Sequence, residues 1–245
     1  MSIQARAVWI KLNRSLLFSL IDQFADLTAF RQVAIKLVHR TKDPSAAARV
    51  KSLWSEFKTV RAVSRVEAHP NIVRFDSFVI TPGYALIAMP QYDRLIPVKL
   101  PEKVATGYFA QLVSAVDFLH SNGCTHNDIK PANILLHNDR PIIVDFGFAQ
   151  HYNSTSTARF IDAQSWGTPE YLSPERARGS VHDSRLSDIW SLGVTFYEIV
   201  TGRTPFERTD SEEFLSKDAL QVYCESFSFE RRGLKEEEED EGVCN

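Results

Sequence analysis

HNDIKPANILL, at residues 126–136, and VDFG, at residues 144–147, are the stretches that determine the fold of this 245-residue chain. The first stretch supplies an acid, Asp128, a cation, Lys130, and an amide, Asn133. The second supplies another acid, Asp145, two residues before a glycine. A carboxylate can orient a hydroxyl group, a cation can neutralise phosphate charge, and carboxylate and amide oxygens can bind Mg²⁺. These residue types are therefore the ones that phosphoryl transfer needs.

The spacing of these residues resembles the catalytic loop H-R-D-x-x-x-x-N and the D-F-G motif of the eukaryotic protein kinases. GTPEYLSPE, at residues 167–175, and SDIWSLG, at residues 187–193, follow in the order that this family shows. The lysine in K-P-x-N and the threonine before P-E-Y resemble serine/threonine kinases more than tyrosine kinases. The resemblance covers roughly residues 25–207, and it implies a serine/threonine protein kinase.

The resemblance also implies a role for each residue of the two motifs. Asp128 is expected to orient the substrate hydroxyl, and Lys130 to neutralise charge on the transferred group, so both are predicted to be catalytic. Asn133 and Asp145 are expected to hold Mg²⁺ and, through it, ATP. Asp188, in the later motif, is expected to tie down the backbone of the catalytic loop. ATP and Mg²⁺ are the cofactors implied.

A lysine in a short β-branched run is a further candidate for ATP binding. Lys36 lies in VAIKLV, at residues 33–38, a composition that predicts a strand. Such a lysine is commonly a surface residue, but the kinase motifs imply that it holds the α- and β-phosphates. Its implied partner is Glu56, in a stretch predicted to be helical over residues 44–66. An exposed glutamate on that helix is the alternative.

Residues 90–92 follow the predicted strand YALIAM, at residues 84–89, and by resemblance form the hinge that receives adenine. Met89 is implied to guard the back of the pocket. Pro90 has no N–H but keeps its carbonyl as an acceptor, and the amide of Tyr92 can donate. An ordinary loop is the alternative.

The implied fold is α+β with two lobes: a small β-rich N-lobe with one helix and a larger, mainly helical C-lobe. HPNIVRF is predicted to be a strand, NILL and PIIVDF a hairpin behind the catalytic loop, and residues 148–166 a mobile loop. Helices are predicted over residues 101–120 and over residues 186–201, which are apolar nearly all round and hence expected to be buried. The predicted divisions are an atypical N-terminal segment at 1–24, a partial N-lobe at 25–89, the hinge at 90–92, a partial C-lobe at 93–229 and an acidic disordered tail at 230–245.

Three features depart from the kinase pattern. Asn127 stands where many kinases have an arginine that binds a phosphate on the mobile loop, and asparagine cannot make that charged contact. We therefore hypothesise that activity does not depend on phosphorylation of that loop. No glycine-rich loop precedes Lys36, since residues 1–82 contain no glycine, so weaker ATP binding is expected. Family-like sequence fades after residue 207, before the expected arginine partner of Glu175, which predicts a kinase truncated at both ends.

Composition limits the other classes of function. The hydrophobic content of 44% is ordinary for a globular protein, and the net charge of −3 gives no general reason to bind nucleic acid or membranes. Three cysteines are too few and too scattered for a disulfide framework. The apolar run at residues 15–21 faintly resembles a targeting signal, but it is far shorter than the roughly 20 residues of a membrane helix. We expect a cytoplasmic or nuclear protein with a protein substrate and no nucleic-acid or membrane partner; the oligomeric state is not predicted.

The leading prediction is transfer of the γ-phosphate of Mg-ATP to serine or threonine hydroxyls of proteins. The missing glycine-rich loop favours two alternatives, namely a pseudokinase that acts as an interaction module and a truncated fragment that does not fold stably alone. The presence of every expected charged and amide residue favours the enzyme, because a scaffold has no catalytic need for all of them.

Overall fold

The computed structural model of the protein describes residues 33–40, 45–65, 67–152 and 160–205. The predictions for the segment at 1–24, for residues 206–229 of the C-lobe and for the tail at 230–245 lie outside these residues. The expected α+β architecture is confirmed: a small sheet-rich part is followed by a mainly helical part.

The sheet-rich part consists of three antiparallel strands and one helix. The strands are β1 (Val33–His39), β2 (Ser77–Ile80) and β3 (Tyr84–Pro90), in the order β1-β3-β2. The helix is α1 (Ser45–Val63). Leu53, Phe57 and Val60 of α1 share one face of the helix and lie in the same core as Ile87 and Met89 of β3. The predicted strand around Lys36 and the predicted helix are therefore confirmed.

The prediction of a strand over residues 69–75 was wrong. Ile72 makes only an isolated parallel bridge to Ile143, in which the Val73 amide donates to the Ile143 carbonyl at 2.9 Å. The Ile143 amide in turn donates to the Asn71 carbonyl at 2.8 Å. The strand that pairs with β3 is β2, a few residues later. The apolar run at residues 72–73 is buried against the other half of the chain. Its apolar composition therefore indicates burial and not membership of the sheet.

The helical part is built on two long helices and several shorter elements. The long helices are α2 (Glu102–Ser121) and α4 (Ser184–Thr201), and a short helix, α3 (Pro174–Ala177), precedes α4. The predicted hairpin is confirmed as β6 (Ile134–His137) and β7 (Arg140–Ile143). Two-residue strands are β4 (Arg94–Leu95) on β6, β5 (Cys124–Thr125) on β8 (Gln150–His151), and β9 (Ile161–Asp162) on β10 (His182–Asp183). In the described residues, no helix is both long enough and apolar enough to cross a membrane.

Two expectations about this part need correction. Helix α4 is not buried all round, because Leu186 and Ile189 are 65% and 51% exposed, while Ser187 and Asp188 on the other face are buried. Its apolar composition therefore did not identify the buried face, which carries polar groups that bind the catalytic loop. The predicted mobile loop at 148–166 begins with β8 and contains β9, and its residues 153–159 lie outside the described part of the chain.

Candidate active site

Lys36, Glu56 and Asp145, which three separate elements provide, meet in one cluster of charges. The Lys36 ammonium lies 2.9 and 2.8 Å from the two carboxylate oxygens of Glu56 and 2.7 Å from Oδ1 of Asp145. Glu56 is buried because it lies on the same face of α1 as Leu53 and Phe57. The alternative of an exposed glutamate is therefore wrong, and the predicted partnership with Lys36 is present.

The burial of this cluster shifts the pKa of each member. Burial alone would lower the pKa of Lys36, but the charges of Glu56 and Asp145 outweigh it and raise the pKa above its ordinary value. Burial raises the pKa of Glu56, and Lys36 opposes that effect only in part. Burial would also raise the pKa of Asp145, but the charge and hydrogen bond of Lys36 hold it below its ordinary value. At neutral pH, Lys36 is therefore a fixed cation between two acids.

Asp128 is the centre of a second cluster, in the catalytic loop. Its Oδ1 accepts hydrogen bonds from the amide and the hydroxyl of Thr168, at 3.0 and 2.7 Å. Its Oδ2 accepts from Nδ2 of Asn133 at 2.9 Å and lies 2.9 Å from the Lys130 ammonium. The Lys130 ammonium also donates to the Thr168 hydroxyl. The structure thus brings together the two residues that the sequence predicted to be catalytic, and it orients both oxygens of the acid.

Asn133 and Asp145 have the chemistry of a Mg²⁺ site that is completed by phosphate oxygens. Nδ2 of Asn133 donates to the carboxylate and to the carbonyl of Asp128, which leaves Oδ1 of the amide as its oxygen ligand for a cation. The Asp145 side chain is 44% exposed although it pairs with Lys36. The described residues contain no cluster of three or more metal-binding acids, histidines or cysteines. Mg²⁺ in phosphate-transfer sites needs only one or two carboxylates together with the substrate phosphates, so the residues fit.

The predicted hinge begins at the last residue of β3, the strand that lines the core. Met89 is buried, and Pro90 ends β3 opposite Val33 of β1. The Tyr92 hydroxyl accepts a hydrogen bond from the Arg74 amide at 3.5 Å, and its ring contacts His137 edge-on. The hinge at residues 90–92 and adenine binding by these residues stay predictions.

Asp188 attaches the catalytic loop to helix α4, as the motif resemblance implied. Its carboxylate accepts from the amide of His126 at 2.9 Å and from the amide of Asn127 at 2.8 Å, and it pairs with His120 at 3.0 Å. The N-terminus of α4 is capped by Asp183, which accepts from the Arg185 amide. Asp188 thus connects α4 both to the catalytic loop and to His120 of α2.

Two residues with contacts at the site were missed or undervalued. Thr168 was used only to judge the type of kinase, although its position in GTPEY is recognisable and its hydroxyl contacts Asp128. Arg176 was not considered, because nothing in SPERARG separates it from Arg178 two residues later. It is 1% exposed, and it donates to Oδ1 of Asn127 at 2.8 Å. Glu175, expected to be buried and to need an arginine, is only partly buried.

Comparison with known proteins identifies similar sequences. The family model described as the protein kinase domain matches residues 18–241, a wider range than the motifs alone delimit. The chain is 34% identical over 192 residues to CBL-interacting serine/threonine-protein kinase 2 of Arabidopsis thaliana, a match that covers 76% of this chain and 41% of that protein. It is 34% identical over 195 residues to serine/threonine-protein kinase ULK3 of Xenopus laevis, covering 76% and 39%. The chain thus matches about two fifths of the length of these curated relatives.

Proposed function

This chain belongs to the protein kinase family, and on that premise we propose that it transfers the γ-phosphate of Mg-ATP to serine or threonine hydroxyls of protein substrates. The geometry of Asp128 carries the proposal. Its carboxylate is oriented by Thr168 and Asn133, and the Lys130 ammonium lies 2.9 Å from it. A carboxylate beside a fixed cation is suited to align a hydroxyl and to offset the negative charge of a phosphoryl group.

The residues of the chain would act by position and charge, without a covalent enzyme intermediate. Asp128 accepts the hydrogen bond of the substrate hydroxyl and orients its oxygen for attack. Lys130 offsets the charge that develops on the transferred group, and Lys36, held by Glu56, offsets the charge of the remaining phosphates. Bound Mg-ATP supplies the phosphoryl group and a dication that neutralises its oxygens. The relatives named above are serine/threonine kinases, which supports the choice of substrate hydroxyl.

The same proposal assigns the cofactor ligands. Asn133 and Asp145 would hold Mg²⁺ through their side-chain oxygens, and Lys36 would bind phosphate oxygens. Met89, Pro90 and Tyr92 would receive adenine at the end of β3. The glycine-rich cover is absent from the sequence before Lys36, so the affinity for ATP is expected to be lower than where backbone amides enclose the phosphates.

The test compares Asp128→Asn with the wild-type chain in an assay of phosphate transfer to a protein or peptide substrate. Loss of the oriented carboxylate is expected to lower kcat by about 10²–10⁴-fold and to leave nucleotide binding in place. Asp139→Asn is a matched control, because that acid is 79% exposed on the β6–β7 hairpin, and it is expected to leave kcat unchanged. Equal transfer by Asp128→Asn and wild type would refute the proposal. Nucleotide binding without transfer by the wild-type chain would instead indicate an interaction module.

A further inference from the structure

Arg176 is a buried cation for which neither the fold nor the proposed chemistry has a stated use. It lies on α3 and is 1% exposed. Burial lowers the pKa of its guanidinium below the ordinary value, and the charges of Asp188 and Asp162 oppose that effect only in part. An arginine nevertheless stays charged under any ordinary condition. A buried charge is costly unless its hydrogen bonds are satisfied, so its contacts indicate what it stabilises.

Two of the hydrogen bonds of Arg176 go to neutral oxygens in different segments. Nη2 donates to Oδ1 of Asn127 in the catalytic loop at 2.8 Å, and Nε donates to the Gln164 carbonyl at 3.4 Å. Gln164 lies in the segment that runs from Asp145 to α3. One guanidinium therefore links that segment to the catalytic loop.

Asn127 is the point at which these links meet. Its amide N–H donates to Asp188, its side-chain Nδ2 donates to the Phe148 carbonyl at 3.0 Å, and its Oδ1 accepts from Arg176. An arginine can only donate, so it requires the oxygen of the Asn127 amide and turns the nitrogen toward Phe148. The backbone of Asn127 has φ of 67°, a left-handed conformation that asparagine tolerates well, and Asp128 is the next residue.

We propose that Arg176 is a positioning residue that holds the catalytic loop and both ends of the segment between Asp145 and α3 in their working arrangement. The family pattern puts a cation at residue 127, whereas here Asn127 is neutral and the charge comes from residue 176. The positive charge that links Gln164 to the catalytic loop is thus an internal, permanent part of the fold. The expected effect of Arg176 on the rate rests on the proposed kinase function. Its expected effect on hydrogen exchange at residues 126–128 and 148–152 does not.

The test uses Arg176→Met, Arg176→Lys, Asn127→Ala and the double variant Arg176→Met/Asn127→Ala in the full chain. Arg140→Met, an exposed arginine on the β6–β7 hairpin, is the control and is expected to behave as wild type. Methionine keeps much of the volume, removes the buried charge and takes the donor away from Oδ1 of Asn127 and from the Gln164 carbonyl. We expect Arg176→Met to lower kcat about tenfold with the KM for ATP nearly unchanged. The lysine variant is expected to recover part of that loss, because it retains the charge and one donor.

Coupling between the two residues gives the decisive comparison. If they act as one unit, the double variant loses no more activity than the worse single variant, whereas multiplying losses would overturn the proposal. Hydrogen exchange of the amides at residues 126–128 and 148–152 is measured on the same proteins. Faster exchange in Arg176→Met than in Arg140→Met is expected, and equal exchange would also overturn the proposal.

The exchange measurement separates this inference from the proposed function. If the wild-type chain shows no transfer that depends on Asp128, the kinase proposal fails. Amide exchange at residues 126–128 and 148–152 still tests the role of Arg176. If Arg176→Met does not fold, Arg176→Lys, Asn127→Ala and their double variant provide the same two comparisons. Unchanged exchange in both of those single variants would then refute the role of Arg176.

Discussion

At the scale of single residues, the two acids that hold Lys36 are not equivalent. The pKa of Glu56 is raised above its ordinary 4.5, chiefly by burial, whereas Lys36 holds the pKa of Asp145 below its ordinary 3.8. As the pH falls, Glu56 therefore takes up a proton before Asp145 does. For folding the two signs differ: protonation of Glu56 favours the folded state, and protonation of Asp145 favours the unfolded state. Acid conditions thus release Lys36 from α1 while Asp145 still holds it.

The first prediction concerns the affinity for nucleotide as the pH is lowered. In the wild-type chain, affinity is expected to begin to fall at a pH above 4.5, because protonated Glu56 no longer fixes Lys36. Glu56→Gln is expected to bind more weakly at neutral pH and to show no further fall over the same range. A fluorescent nucleotide analogue, titrated from neutral pH to about pH 5, measures both. Glu102→Gln, an exposed position at the start of α2, is the control, and identical profiles for wild type and Glu56→Gln would contradict the prediction.

At the scale of elements, the segment from Asp145 to α3 is attached at both ends to the neutral side chain of Asn127. Phe148 accepts its hydrogen bond at one end, and Arg176 donates to it from the other. Both polar atoms of the Asn127 side chain are therefore already engaged inside the chain. This arrangement supports the hypothesis that activity does not depend on phosphorylation of the loop.

The second prediction is that phosphorylation of the hydroxyl run at residues 154–157 has little effect on rate. With all four residues replaced by alanine, kcat is expected to change by less than about tenfold, since residue 127 supplies no cation for a charged hydrogen bond. Protein with and without phosphatase treatment is compared in the same transfer assay. The alanine variant, treated identically, controls for effects of phosphatase at other positions. A loss of more than about tenfold on phosphatase treatment of the wild type alone would contradict the prediction.

The elements also show which features can be predicted from sequence. Strand β1, helix α2 and the β6–β7 hairpin were predictable because their apolar periodicity and turn residues agree with their final positions. The stretch at 69–75 was not, because local pattern cannot tell whether an apolar run pairs with a sheet or packs on another element. The buried face of helix α4 was not predictable from its apolar composition, because that face carries Asp188 and three serines. The role of Arg176 could not be predicted from the sequence, because its burial depends on contacts with residues distant in the chain, such as Asn127.

At the scale of the whole molecule, the candidate site joins two parts of the chain that are distant in sequence. Lys36 belongs to the sheet-rich part, whereas Asp145 follows the hairpin 109 residues later, and the two lie 2.7 Å apart. The motifs predicted that Lys36 and Asp145 bind the same ligand. The burial of Glu56 by α1 beside Lys36 could be learned only from the fold. Only the folded chain brings these residues of both parts together. A ligand that binds them is therefore expected to raise the free energy of unfolding of the chain.

The third prediction follows from this linkage. Mg-ATP at about a hundred times its Kd is expected to add ~2.7 kcal/mol to the free energy of unfolding, which raises the unfolding midpoint by about 5–10 °C. Lys36→Met is expected to lose most of that increase, because it removes the cation that both acids hold and that we propose to bind the phosphates. Lys58→Met, on the exposed side of α1, makes the same change in charge away from the site and is expected to keep it. Thermal unfolding with and without Mg-ATP measures the difference, and equal stabilisation of the two variants would show that the nucleotide binds elsewhere.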